Sequence, residues 1–351
     1  MRMAWPDAAR GLCMVVVVLW HSSLWMTNEI NKGKPGVWFQ IGLGLVPLRM
    51  PLFFFISGHL AARAVRRPLD ATRGRTLGMM CLYVVWTAIF VSRLLIPQAR
   101  GGGPIPAWYE WVLALALPTS FWYLYCLAAY FLLTHVMLRR AGQHVVWLLL
   151  PLAALSVIAP LVREWTSGIV TPPLDAVKAS SLMANLVWFV AGTRLVNPWA
   201  WLMQRARWIF AVAGVVLYGI IFWAALRFGA VGELSWHMVP LSVLGLVTMS
   251  QILALTPMKV PLMRLLQRIG RDTLPIYTFH LFLISLVSAA VKMTGLTHLL
   301  RQHLEVVNWV VPPLMTLAIL PTTRLVAALI RRSPVSFLLE PPEMVTSPRH
   351  G

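Results

Sequence analysis

The chain has 351 residues, 59% of them apolar and only 12% charged, with 30 Lys and Arg against 11 Asp and Glu for a formal net charge of +19. A mean hydropathy of +0.73 exceeds what a water-soluble domain of this length tolerates, and excludes one. In chain order, stretches of about 20 residues with little charge fall at about 8–27, 37–62, 75–97, 119–138, 144–162, 178–196, 207–227, 236–256, 272–293 and 304–328. Backbone groups cannot stay unpaired in lipid, and these runs lack the alternation of barrel strands. The expected fold is therefore all-α, a polytopic membrane bundle of about ten transmembrane helices.

The cations orient it, because short cytoplasmic loops carry excess Lys and Arg. Arg63, Arg66, Arg67, Arg73 and Arg75, then Arg139 and Arg140, Arg205 and Arg207, Lys259, Arg264, Arg268 and Arg271, and finally Arg331 and Arg332 all fall on the side shared by the N-terminus. Glu29, Glu110, Glu164, Asp175, Glu233 and Glu305 fall on the other. Both termini are expected in the cytoplasm and the protein in the plasma membrane. Cations scattered over short loops argue against nucleic acid, while leaving a surface that attracts anionic cofactors or lipid headgroups.

One transmembrane domain is expected over 1–335, followed by a short flexible cytoplasmic tail over 336–351. Gly101-Gly102-Gly103-Pro104 breaks the chain, and the run from Trp108 to Leu117 is too short to span, so it lies in the interface or re-enters. The first segment lacks a small-residue cleavage site and is read as a membrane helix, not a signal peptide. Cys13, Cys81 and Cys126 all lie in apolar segments, which argues for packing thiols and against disulfides or a metal site.

Chemistry must then come from polar residues inside the bilayer, where ionisable groups are costly. Arg10 and His21 flank an apolar run on the first segment. Eleven residues of helix advance about 1100°, so both side chains share a face, roughly 16 Å apart along the axis. Arg49 reaches a comparable depth on the second segment, followed by Ser57-Gly58-His59 and Arg63. Each has a plainer reading: an intramembrane histidine packs, Arg10 snorkels to lipid phosphate, His59 and Arg63 are interfacial. Asp7 reads as a cap of the first helix.

An Arg, ten residues and a His, followed by Met50-Pro51-Leu52-Phe53-Phe54-Phe55-Ile56-Ser57-Gly58-His59-Leu60, resembles the membrane-bound acyltransferase-3 family. Asp7-Ala8-Ala9-Arg10-Gly11 resembles that family's start, Phe121-Trp122-Tyr123-Leu124-Tyr125 its aromatic signature, and Ile269 to His280 its closing motif. The resemblance implies transfer of an acyl group, by default acetyl from acyl-CoA, to a hydroxyl of an envelope sugar, glycolipid or secreted small molecule. His21 would be the general base and Arg10 would hold an anionic part of the donor. Ser57, Gly58 and Arg63 would face the donor; Arg49, Trp122, Tyr125 and His280 would face the acceptor. His280 would orient the acceptor, support His21 or simply pack.

No tightly bound cofactor and no metal are expected, and acyl-CoA is the donor substrate. Direct attack by the acceptor is preferred to an acyl-histidine relay. The chain departs from part of the family, whose aromatic motif is often followed by an acid where this one reads Cys126. No extra extracytoplasmic domain like that of some relatives is expected, and the chain looks closer to stand-alone glucan and sugar acyltransferases. A transporter or lipid-linked-glycan flippase using the same polar residues is the rival, but no internal repeat is visible; a non-catalytic envelope scaffold is the other.

Overall fold

The computed structural model describes residues 5–92, 107–118, 121–166, 178–228 and 237–341, and every regular element among them is helical. In chain order these are α1 Trp5–Trp25, extended by a π turn over Met26–Ile30, then α2 Val37–Gly44, α3 Val46–Ala61, α4 Arg73–Ser92 and α5 Trp108–Ala116. Next come α6 Trp122–Ala141, α7 Leu149–Thr166, α8 Ala179–Arg194, α9 Val196–Gln204, α10 Trp208–Arg227 and α11 Met238–Leu255. The last are α12 Pro261–Arg271, α13 Thr273–Met293, α14 Leu296–Gln302 and α15 Leu304–Arg331.

Seven described helices are long and apolar enough to cross a membrane, or eight if α2 and α3 form one bent span. Each of the ten expected segments holds a helix, but α6 and the 16-residue α8 fall outside that test. The protein is a multi-span membrane protein. α10 carries its apolar residues on the exposed side, including Trp208, Ile209, Phe210 and Trp223, as a helix facing lipid does. The breaker at 101–106, together with Asp175 and Glu233, lies outside the described residues.

The expected segment over 37–62 is built from two helices, α2 and α3, bent by 50°. Pro47 and Pro51 lack the N–H that an α-helix needs four residues on, which frees carbonyls in a place where water is scarce. Hydroxyl groups replace the lost bonds. The Ser242 hydroxyl donates to the Pro47 carbonyl at 2.5 Å, where Pro51 has no N–H to give, and Tyr218 donates to Gly44 O at 2.7 Å. The same logic recurs in α15, where Pro313 leaves the Trp309 carbonyl open and the Trp38 indole donates to it at 2.8 Å. The cationic stretches expected as loops contain α9 and α12. On α12, Met263, Leu266, Ile269 and Gly270 are buried, while Arg264 and Arg268 are exposed.

The chain divides into two compact units that alternate along it, Met1–Phe53 with Leu202–Tyr218 and Ser242–Pro334, and Phe54–Trp201 with Gly219–Leu241 and Val335–Gly351. In the first, α1 lies against α12 with backbones in close approach. A Cβ on Gly11 would overlap the Leu266 carbonyl, and one on Gly270 would overlap that of Asp7, so two glycines let this pair of helices touch. Asp7 sits inside the first turn of α1 and pairs with Arg271 at 3.4 Å, so it is a helix-terminal anion with a partner and not the cap expected.

In the second unit, glycine plays the same part between α3 and α8. A Cβ on Gly58 would overlap Phe189 O, and one on Gly192 would overlap Phe55 O. Around that contact Phe54 meets Tyr123 at 5.1 Å and Tyr130 at 5.0 Å, ring centre to ring centre. Such aromatic pairs add about 0.5–1.5 kcal/mol each beyond simple burial. The short helix α5 is held by the Tyr83 hydroxyl on the carbonyls of Ala114 and Leu117, and its first residue, Trp108, is 78% exposed. The tail expected from 336 begins with a turn over Ser336–Leu338, whose Leu338 carbonyl accepts the Trp86 indole N–H at 2.7 Å; Leu339 is buried.

Candidate functional site

In the first unit α1 and α13 lie side by side and bring two histidines together. The His21 and His280 rings are 4.9 Å apart, centre to centre, edge towards face at 64°. Each spends Nδ1 on its own helix. His21 Nδ1 lies 2.8 Å from Val17 O and His280 Nδ1 lies 2.9 Å from Ile276 O, each four residues back. A carbonyl only accepts, so both Nδ1 atoms carry the proton and both Nε2 atoms are lone-pair acceptors when the rings are neutral. His280 is 1% exposed and its Nε2 has no partner; His21 is half-buried.

Unpaired buried acceptors are expensive, about 1–3 kcal/mol each. The bare His280 Nε2, on a ring beside that of His21, therefore prepares a place for a group that donates hydrogen bonds, such as a hydroxyl. Arg10 and Arg49 add the charge. The Arg10 guanidinium donates to Thr273 Oγ1 at the start of α13 and lies 5.9 Å from the Phe53 ring centre, with its Nε buried and unpartnered. One of its terminal nitrogens is thus tied to α13. The Arg49 guanidinium lies 5.0 Å over the ring of Trp20, which stacks on Phe39, and one of its terminal nitrogens is buried without a partner. The structure therefore assembles Arg10, His21, Arg49 and His280 in one unit.

The remaining expected residues lie in the second unit. Ser57 and Tyr123 exchange a hydrogen bond at 3.2 Å, and Trp122 packs on Phe54 at 5.9 Å. Tyr125 meets Tyr83 edge to face at 5.3 Å. Arg63 is exposed. Gly58 was expected to let a ligand approach, yet the space a side chain would fill is taken by the backbone of Phe189. Thr273 and Tyr123 were missed. A threonine opening a helix and a tyrosine inside an aromatic run look ordinary until their partners, Arg10 and Ser57, are known.

The comparisons with known proteins agree with the motifs. A family model described as an acyltransferase domain, of the acyltransferase-3 type, matches residues 3–332. The chain is similar to the inner membrane protein YcfT of Escherichia coli (strain K12), 26% identical over 179 residues, which cover 44% of this chain and 47% of that protein. The match thus spans about half the length of that curated relative. No solved structure matches. With a family model covering nearly all of it, this chain belongs to the acyltransferase-3 family.

Proposed function

We propose that this protein is a membrane-embedded O-acyltransferase that moves an acyl group, by default acetyl, from acyl-CoA to a hydroxyl of an envelope sugar, glycolipid or secreted small molecule. The observation that carries the reading is the histidine pair, with both Nδ1 atoms spent on helix carbonyls and both Nε2 atoms left as acceptors. A sugar hydroxyl is far too weak an acid to attack unaided. In the proposed step His21 Nε2 takes its proton as the oxygen attacks the thioester carbonyl carbon, and the imidazolium returns that proton to the departing thiolate. A base so placed contributes on the order of 10²–10⁴ in rate.

His280 Nε2 accepts from a second hydroxyl of the acceptor or from a water, which favours a polyol over an isolated alcohol. Arg49, with an unspent N–H, suits an acceptor oxygen. Arg10, on the same helical face as the base about three turns nearer the N-terminus and anchored by Thr273, suits an anionic portion of the donor. Both termini are placed in the cytoplasm on the strength of the loop cations, so the donor enters from that side, and the acceptor approaches from the other face of a plasma membrane.

The test is transfer of label from radiolabelled acetyl-CoA in membranes carrying wild type, His21→Ala or Arg10→Ala, with mass spectrometry of envelope glycans and lipids to name the acceptor. Unchanged transfer in His21→Ala sinks the assignment. Flux of a glycan without acylation favours a transporter instead. Label trapped on the protein in the absence of acceptor replaces direct attack with an acyl-enzyme route.

A further inference from the structure

α1 and α13 run parallel, and side chains tie them together at both ends. Arg10 donates to Thr273 Oγ1 at one end, and the His21 and His280 rings meet further along. At the other end Glu29, on the π turn that extends α1, pairs with Lys292 of α13 at 2.7 Å. Arg10 and Glu29 are as many residues apart as Thr273 and Lys292. The two ties therefore span equal lengths of helix, about 28 Å at 1.5 Å per residue, with the histidine pair between them.

The two ends are built differently. Near Arg10, Gly11 and Gly270 bring the backbones of α1 and α12 into close approach, and Asp7 pairs with Arg271. At the far end the contacts come from polar side chains on three other helices. Besides Lys292, Arg301 of α14 donates to the carbonyls of Glu29 at 3.0 Å and Ile30 at 3.2 Å, and Asn31 Nδ2 donates to Asn308 Oδ1 of α15 at 2.5 Å. The last carbonyls of a helix lack partners within it, and a cation there also suits the helix dipole. The Lys292 and Glu29 side chains are 59% and 37% exposed, and water-facing ion pairs of this kind add little to stability.

The effect of these contacts is geometric. His21 stands roughly 16 Å along α1 from Arg10. With the Arg10 end as pivot, a swing of about 5° between the helices moves the far ends apart by about 2.4 Å and the histidine rings by about 1.4 Å. A misplacement of about 1 Å at a reacting group can cost on the order of 10²-fold in rate. A clasp that matters little to the fold can thus matter a great deal to the base.

We propose that Glu29, Lys292 and Arg301 are positioning residues for proton transfer at His21: they close the far end of the α1–α13 pair and hold the two imidazole rings in register. The inference rests on the acyl-transfer reading, and it adds three residues that lie outside every motif carrying the family resemblance.

The experiment follows label from radiolabelled acetyl-CoA in membranes carrying the full-length protein as wild type, Lys292→Gln, Arg301→Gln, or the charge swap Glu29→Lys with Lys292→Glu. Each single variant should lower kcat by about 3- to 30-fold, with KM for acetyl-CoA within about twofold of wild type, because the base is displaced and the donor's place is not. The swap should return kcat to within about threefold of wild type, which a general loss of folding would not do. Melting temperatures should stay near that of wild type. Peptide hydrogen exchange over residues 22–31 should rise in both single variants and fall back in the swap. Undiminished kcat in Lys292→Gln and Arg301→Gln overturns the proposal, as does a loss that the swap leaves unrepaired, or unchanged exchange at the far end of α1. Those outcomes leave the acyl-transfer reading standing. That reading fails by a different sign, wild-type membranes that transfer no label, and the positioning roles then fall with it.

Discussion

His21 and His280 meet ring against ring at 4.9 Å, on helices that begin more than two hundred and fifty residues apart, and the i−4 carbonyl of each helix selects which nitrogen stays bare. A histidine free to choose its tautomer would present the acceptor lone pair only part of the time. Here the local helix makes that choice before any substrate arrives, which is the form of preorganisation that a general base needs.

Replacing His21 by Gln keeps a polar group of similar size and removes the base. Acyl transfer should fall by about 10²–10⁴, with little change in the melting temperature of the detergent-solubilised protein. His280→Gln, which retains hydrogen bonding without the lone pair of an imidazole, should raise KM for the acceptor more than it lowers kcat. Equal losses in both variants at saturating acceptor would assign proton transfer to the pair and not to His21.

Thr273→Val removes the oxygen that the Arg10 guanidinium holds. A hydrogen bond to a charged group is worth about 1.5–3 kcal/mol, so the variant should lose roughly 10- to 100-fold in kcat/KM for the donor if the tether positions Arg10 for the reaction. Arg10→Lys should show a comparable loss, because an ammonium does not reproduce the fork of a guanidinium. Donor titrations of both variants check this, and full activity in Thr273→Val would leave Arg10 working without its tether.

Gly58→Ala tests packing against ligand access. A methyl group there overlaps the Phe189 carbonyl, and overpacking a tight contact costs typically about 1–3 kcal/mol. The expected result is a lower melting temperature and a lower folded yield, with Gly192→Ala behaving alike through its contact with the Phe55 carbonyl. A Gly58→Ala protein as stable as wild type but slow in transfer would return this glycine to the donor's path.

Tyr123→Phe deletes one partner of the Ser57 hydrogen bond and should cost about 0.5–1.5 kcal/mol. Ser57→Ala should cost a similar amount, and the double variant no more than either, since residues that share one bond do not add. A double-mutant cycle on thermal or denaturant unfolding reads this directly. Additive losses would mean that the two hydroxyls act separately.

Much of this protein is legible in one dimension because the bilayer removes alternatives. Long apolar runs must be helices, and a helix of known rise puts Arg10 and His21 on one face without any tertiary information. The motifs that carry the family resemblance include the same two residues. The bend at Leu45 was hidden, since Pro47 and Pro51 sit in a run that remains apolar throughout. What makes the bend tolerable is the pair of hydroxyls on Ser242 and Tyr218, nearly two hundred residues away. The cationic connections were read as loops because hydropathy does not distinguish a loop from an amphipathic helix such as α12.

The sequence by itself determined that the chain is helical, that it belongs in a membrane, and where along α1 its costly polar groups lie. These follow from composition and from the repeat of the helix, which are properties of neighbouring residues. Only the tertiary structure decided that His280 is the ring beside His21, that Thr273 holds Arg10, that the space beside Gly58 is filled by Phe189, and that three arginines and His135 line one cavity. Each of those depends on which distant helix lies alongside. In lipid that is set by close packing and by the partners found for polar groups, information spread over several helices and carried by no single segment.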